Sequence, residues 1–359
     1  MKMKTLKMKK TTLQDTITYA LVVVLFLVFQ LLLSTGNITR ALSGQLVPVC
    51  AYVVTAIALN LVVGISGELS LGHAGFMSIG AFSGVVFFNA FAFIGQPIVQ
   101  LILAMVCGGI LSGIMGLLIG IPVLRLRGDY LAIVTLAFGE IIKNIINNIY
   151  LGVSDAGWHF SFAQDTLPEG TKDILNGPMG VTGNTKASTF AVGFVLIMFS
   201  LIVVLNLIRS KHGRAIMAIR DNRIAAESIG LSATKFKLIA FTISAALTGM
   251  AGTLYAMNYA SVAPSKFNFN TSINILVFVV LGGMGNIRGS IIAAIILTIL
   301  PETQLLRGLG EARMLIYAVL LVGIMLLTQS KGGKRIIAWF KDTATKLFKK
   351  NAKEGADNE

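Results

Sequence analysis

The sequence predicts an all-α integral membrane protein of about ten membrane elements, some discontinuous or re-entrant, with both termini cytosolic. Three observations carry this. The 359 residues are 55% hydrophobic and 13% charged with a mean hydropathy of +0.79, a balance far from that of a water-soluble domain. Apolar runs near the length that crosses a bilayer core, about 20 residues for roughly 30 Å, recur along the chain. The basic residues behind the net charge of +14 divide unevenly between the loops.

Residues 1–16 form a basic cytosolic segment carrying Lys2, Lys4, Lys7, Lys9 and Lys10. The run that follows reads as a retained helix and not a cleaved signal, because its apolar stretch is long and no small-x-small site follows Leu33. Apolar runs place helices at 17–34, 46–64, 76–94, 98–121, 130–149, 188–208, 238–258 and 311–329. Between the last two, the stretch 267–300 is interrupted by Gly282-Gly283-Met284-Gly285-Asn286. One continuous helix there would put the basic tail after Ser330 on the opposite side from the basic loop 209–237, against the positive-inside rule. Two pieces, 267–283 and 289–300, restore the parity. The second reaches only roughly 18 Å at 1.5 Å per residue, too short to span alone, so a shallow re-entrant pair is as good a description as two crossings.

The transmembrane domain thus covers 17–329, with an extracytoplasmic loop at 150–187 and a cytosolic loop at 209–237, and 330–359 is a basic cytosolic tail. Of the 30 Lys and Arg, Arg40, Lys172, Lys186, Lys266, Arg307 and Arg313 fall outside, Lys143 lies within a helix, and the rest are cytosolic. The basic residues therefore flank helices and do not build one aromatic-bearing face, which argues against a nucleic-acid partner and for membrane lipid. In the tail, Ile336, Ile337, Phe340, Leu347 and Phe348 share a stripe among lysines, which suits either a helix on the anionic inner leaflet or a solvated tail. Cys50 and Cys107 sit in apolar runs and have neither disulfide-framework nor metal-ligand spacing, so no metal is expected. No catalytic constellation emerges. A Gly-x-x-x-x-Gly-Lys-Ser/Thr phosphate loop is absent, so no cofactor is expected on this chain and any ATP would be bound by a partner.

Two features remain as candidate functional sites. The first is the loop 209–237, where Ala225-Ala226-Glu227-Ser228-Ile229 reads as a short helix ending at Gly230 in a left-handed cap. Small residues on one face with charges beside them suit docking in a partner's groove; the alternative is a helix that only stiffens the fold. The second is a pair of glycine-rich breaks, 64–75 and 281–289. Backbone that leaves the helix inside a bilayer is tolerated only where protein or a water-filled path satisfies it, and paired interruptions in two halves point to a translocation path. On this reading Gly67, Glu68, Gly72, His73, Gly75, Gly282, Gly283, Gly285 and Asn286 line the path, and a half-helix after the first break aims its positive end at a carboxylate. The same glycines also suit close helix packing, and His73 suits a structural hydrogen bond. Glu140 and Lys143, three apart on one helix, are expected to pair with each other. The outer loop, with Asp155, Trp158, Asp165, Glu169 and Asp173, is long enough to form a docking surface.

Several segments together resemble a known family. Gly67-Glu68-Leu69-Ser70-Leu71-Gly72-His73-Ala74-Gly75-Phe76, Leu126-Arg127-Gly128-Asp129-Tyr130-Leu131-Ala132 with Thr135-Leu136, Gly177-Pro178-Met179-Gly180-Val181-Thr182-Gly183, and Gly282-Gly283-Met284-Gly285-Asn286 are similar, in order and spacing, to the LivM-type permeases of branched-chain amino acid ABC importers. Ala225-Ala226-Glu227 followed by Gly230 resembles the coupling-helix loop of such permeases. The usual order there is Glu-Ala-Ala-x-x-x-Gly; here Asp221 and Glu227 flank the alanine pair. The resemblance implies that Asp221, Ala225, Ala226, Glu227 and Gly230 couple to cytosolic ATPase subunits. It also implies a homologous LivH-type second permease, an extracytoplasmic solute-binding protein and a place in a prokaryotic cell membrane. The expected cargo is leucine, isoleucine or valine. Related permeases for urea, short amides or sugars would keep the architecture, whereas an ion-coupled secondary transporter would need intramembrane acids beyond Glu68 and Glu140. A receptor or scaffold would leave the glycine breaks without a purpose.

The sidedness of the loop 209–237 is open to direct measurement. A Ser228→Cys variant is expected to escape an impermeant thiol reagent added to intact cells and to react once the membrane is opened; labelling in intact cells would place the loop outside.

Overall fold

The computed structural model describes residues 2–35, 40–126, 128–154, 157–162, 172–300 and 319. The helix expected at 311–329, the tail from 330, and Arg127, Asp155, Asp165, Glu169, Arg307 and Arg313 lie outside the described residues apart from Val319. The chain up to residue 300 is a helical bundle with one small sheet. In order it comprises α1 (Lys2–Ser34), α2 (Arg40–Asn60), α3 (His73–Ala90), α4 (Pro97–Val123), α5 (Asp129–Asn147), β1 (Tyr150–Ser154), β2 (Gly157–Ser161), β3 (Lys172–Asn176), α6 (Phe190–Arg209), α7 (Lys211–Asp221), α8 (Arg223–Ser228), α9 (Ala233–Ala256), α10 (Phe269–Gly282) and α11 (Ile287–Ile299).

Six of these helices are long and apolar enough to cross a membrane, within α1, α2, α3, α4, α6 and α9. The remaining long helix, α5, carries Glu140, Lys143, Asn144 and Asn147 in its second half. The stretch 267–300 is a hairpin of two short helices, α10 of 14 residues and α11 of 13. At 1.5 Å per residue each is roughly 20 Å long, short of a hydrocarbon core. Several helices begin where a side chain takes up a first-turn amide: Ser210 Oγ accepts from Gly213 N, Asn222 Oδ1 from Ala225 N and Asn268 Oδ1 from Thr271 N. Pro97 opens α4 at a position where no amide is required.

The core is α9 with α2, α3 and α4 packing on it. Water-driven burial contributes little between helices in lipid, so close approach through small residues holds such bundles together. That is the pattern here. A Cβ on Gly80 would lie 2.0 Å from Gly249 O, and one on Gly252 would lie 2.0 Å from Met77 O, so α3 and α9 touch backbone to backbone. Thr253 Oγ1 donates to Gly80 O at 2.8 Å across the same seam. Ser112 of α4 stands within hydrogen-bonding distance of both Phe76 O and Ala245 O, at 3.1 and 2.8 Å. In contrast, α1 lies at the periphery, where Phe26 stacks on Phe190 and Phe194 of α6.

An all-α description fails in one place. Within the loop 150–187 the chain forms a three-stranded antiparallel sheet of order β2-β1-β3, with Tyr150 opposite both Ser161 and Asn176. In β2, Trp158 and Phe160 alternate with Gly157, His159 and Ser161, whereas β1 and β3 carry adjacent apolar residues at Tyr150-Leu151 and Ile174-Leu175. Leu151, Phe160 and Leu175 line an apolar hollow together with Phe82 and Phe87 of α3 and Ile146 of α5. Beyond β3, the turn at Gly177–Met179 leads to Val181, which pairs with Val262 through two backbone hydrogen bonds of 3.1 and 3.0 Å. The sheet is therefore fastened to the segment between α9 and α10.

Gly249→Val should force α9 away from Ser112 and Gly108, whose atoms would lie 2.4 and 2.8 Å from its Cβ. Overpacking of this kind costs about 1–3 kcal/mol or more. The expected outcome is a fall in folded protein recovered after heating in detergent, with Gly44→Ala, where nothing lies within 4 Å, as the tolerated control.

Candidate functional site

The two glycine breaks meet. At its end α2 widens into a fully buried π-helical turn, Leu61–Ile65, and the chain then runs unwound to α3, with Gly67 at φ +76°. The break between α10 and α11 turns through Gly283 and Gly285, at φ +91° and +82°. A Cβ on Gly64 would lie 2.2 Å from Gly285 N, so no side chain fits between the two segments. The fully buried Asn60 joins them: its Oδ1 accepts from Gly285 N at 2.8 Å and its Nδ2 donates to Ser290 Oγ at 2.7 Å. Gly282 and Gly289 are pressed together at the base of the turn, where a Cβ on Gly289 would lie 1.7 Å from Gly282 O. Asn286 Nδ2 closes the turn on Gly282 O at 3.3 Å.

The loop 209–237 packs against the same place. Arg220 at the end of α7 donates from Nη1 to Gly64 O at 3.0 Å, and its aliphatic part covers Gly67, whose Cβ would lie 2.6 Å from Arg220 Cγ. The Glu68 carboxylate is ion-paired with Lys237 Nζ near the start of α9. Thr18 of α1 and Arg288 of α11 bond at 2.6 Å, and Asp15 pairs with Arg209. One end of the bundle thus gathers both breaks and the loop, and the breaks do not lie half-way along the helices. Glu68 is accordingly no isolated intramembrane acid; its charge is matched at the bundle's end.

Other residues expected on a path are engaged inside the protein. His73 is 1% exposed. Its Nε2 stands 2.8 Å from Ser244 Oγ and its Nδ1 3.4 Å from Ser70 Oγ. The Ser244 proton goes to Ala58 O at 2.6 Å, so Nε2 carries the imidazole proton and donates to Ser244. This is a structural histidine joining α3, α9 and α2. Gly72 and Gly75 allow α3 to touch α5, since their Cβ atoms would lie 2.6 Å from Thr135 O and 2.8 Å from Gly139 Cα. Of the amides at the start of α3, Ala74 N donates to Ser272 Oγ and Gly75 N to Gly72 O.

Within the loop, Ala226 is buried with Ile219 and Ala233 in a small apolar cluster flanked by Leu231 and Phe236. Asp221, Ala225, Glu227 and Gly230 are exposed, Gly230 at φ +87°. Asp221 pairs with Arg220 and Glu227 with Arg223. The surface that faces out from α8 is completed by Ile224 and Ile229, 82% and 76% exposed. Neither isoleucine belongs to the alanine-glutamate pattern, and an apolar residue in a polar loop was the available signal. Asn60 had one too, as an amide at the end of an apolar run. Nothing in the sequence marks Arg220 or Lys237 as the partners of Gly64 and Glu68.

Residues 41–338 match the profile of the branched-chain amino acid transport system / permease component family. The chain belongs to that family. Among relatives of this permease, the LivM high-affinity branched-chain amino acid transport system permease proteins of Salmonella typhimurium and Escherichia coli are each 38% identical, over 288 and 291 residues. Each alignment covers 77% of this chain and 66% of the relative, so the chain spans a little under two thirds of their length. A probable branched-chain amino acid transport permease protein LivM from Methanocaldococcus jannaschii is 26% identical over 242 residues, 64% of this chain and 62% of its own. No solved structure matches this permease significantly.

Replacing Asn60 by Leu takes the acceptor from Gly285 N and the donor from Ser290 Oγ, each contact on the scale of an ordinary hydrogen bond at about 1 kcal/mol. The expected result is faster hydrogen exchange at Gly285 and its neighbours in the hairpin turn, measured by mass spectrometry in detergent, with the core of α9 unchanged.

Proposed function

We propose that this chain is the permease subunit of an ABC importer and carries branched-chain amino acids, leucine, isoleucine or valine, across the cell membrane. Separate cytosolic ATPase subunits bind the ATP that drives it, and no chemistry is performed on this chain. A homologous LivH-type permease completes the path, and an extracytoplasmic solute-binding protein delivers the cargo. Family membership and the names of the relatives support the cargo and the class.

The observation that carries the mechanism is the bond from Arg220 to Gly64 O, because it connects the loop to the breaks. A partner seated on α8 meets Ile224 and Ile229, the exposed apolar pair beside Glu227, and apolar anchors of this kind supply most of the energy at a contact. Any shift of α8 moves α7 through the buried Ala226–Ile219 contact. Arg220 then pulls on the π-helical turn, and Lys237 on Glu68. Through Asn60 the same displacement reaches the tip of the α10–α11 hairpin. The closed meeting of Gly64 and Gly285 is thereby a gate at the loop end, opened or shut by the partner. A conformational change needs a differential contact between two states, and the arginine and lysine contacts are where this chain makes it.

Purification of the complex from its native membrane is expected to bring down an ATPase pair and a second permease, and proteoliposomes holding them should take up labelled leucine. Uptake of urea or a sugar in its place would change the cargo, and uptake without ATPase would remove the class. Ile224→Glu with Ile229→Glu should lower ATP-dependent uptake at least about tenfold, the loss expected when apolar anchors at a contact are removed. Yield of the folded membrane subunit should stay unchanged.

A further inference from the structure

Glu140 and Lys143 form an ion pair on α5 that neither the loop contacts nor the glycine breaks use. The pair lies past the midpoint of a 19-residue helix, roughly 17 Å from its start at 1.5 Å per residue. Four further ion pairs, Asp15–Arg209, Arg220–Asp221, Arg223–Glu227 and Glu68–Lys237, lie in the loop or near helix ends, where water is at hand. This one stands toward the end of α5 at Asn147, Lys143 about 6 Å from it, with Glu140 against the first residue of α10. Ionisable groups there face a water-filled cavity or a partner and not lipid.

The side chains of Lys143 and Glu140 are 20% and 34% exposed, so this chain leaves both partly open. One Glu140 oxygen accepts from Phe269 N at 3.0 Å, which fixes the carboxylate against the start of α10. The other holds Lys143 Nζ. An ammonium has three N–H donors, of which that contact uses one. The neighbouring face of α5 has two characters. Ile133 and Ile141 are more than half exposed, while Asn144 and Asn147 continue the polar flank at helical spacing toward the end of α5, where β1 begins at Tyr150.

We infer that Glu140 and Lys143 form a station on the translocation path that holds the two charged ends of a zwitterionic amino acid. Lys143 takes the carboxylate and Glu140 the α-ammonium, the pair exchanging its internal contact for two with the cargo. Ile133 and Ile141 receive the branched side chain, and Asn144 and Asn147 keep the approach from the sheet end wet. A zwitterion matches an ion pair in charge, so the exchange leaves neither Glu140 nor Lys143 a lone charge. This rests on the importer reading above and adds to it where the cargo is bound within the permease.

The test uses the whole complex in proteoliposomes with its binding protein and internal ATP. Lys143→Met and Glu140→Gln, the latter keeping an oxygen for Phe269 N, are each expected to lower the maximal uptake of leucine about tenfold, the scale of one charge-assisted hydrogen bond. Subunit composition and ATP hydrolysis should be unaltered. In a Cys107→Ser background, Asn144→Cys should be labelled by a charged thiol reagent added on the binding-protein side, and labelling should stop uptake. Normal uptake by both charge variants, or no labelling at Asn144→Cys, overturns the station while leaving the importer intact. Loss of the second permease from the Lys143→Met complex also overturns it, because the pair would then be a contact between subunits. If the unsubstituted complex takes up no amino acid, the importer reading goes and the station goes with it.

Discussion

Two stretches of backbone that have left the helical pattern can remain inside a protein only when something else takes up their polar groups, and Asn60, in the helix that leads into the first break, takes up Gly285 N in the second. Its carboxamide holds Gly285 N and Ser290 Oγ at once, from a helix that is buried almost throughout. An apolar residue in its place would remove the acceptor of Gly285 N and the donor to the buried Ser290 hydroxyl. The contact between Gly64 and Gly285 depends on it, and so does the position of the hairpin against α2. Arg220 and Lys237 act on a junction that already exists.

The helices were readable because lipid imposes a simple rule on composition: long apolar runs in an otherwise charged sequence leave few alternatives. Limits shifted by a few residues; α3 begins at His73 instead of 76, and α2 reaches back to Arg40. The sheet in the outer loop was not read, because Tyr150–Ser154 and its partners are five residues each and depend on pairing with one another across the loop. Short strands of this kind carry a weak local signal.

For the site, residue type was more legible than arrangement. Glycines marked both breaks, yet that the breaks touch depends on a bond between residues 225 apart, and no periodicity reports on such a distance. His73 and Glu68 drew notice as ionisable groups and proved to be matched, by Ser244 and Lys237. Ala226 fitted the coupling pattern by identity, but its side chain faces inward; a six-residue helix has too few turns to tell its buried side from its open one. The isoleucines that do face outward lie on either side of it.

The small sheet has a mechanical meaning for the rest of the molecule. Through Val181 and Val262 it is buttoned to the linker that enters α10, and the 3-10 turn at Pro264–Lys266 carries that linker to the hairpin with little slack. A load applied to the sheet is delivered to the start of the same hairpin whose tip is held by Asn60. The hairpin is therefore held at both ends, at the linker that enters α10 and at its tip, so that a shift at either end is constrained by the other.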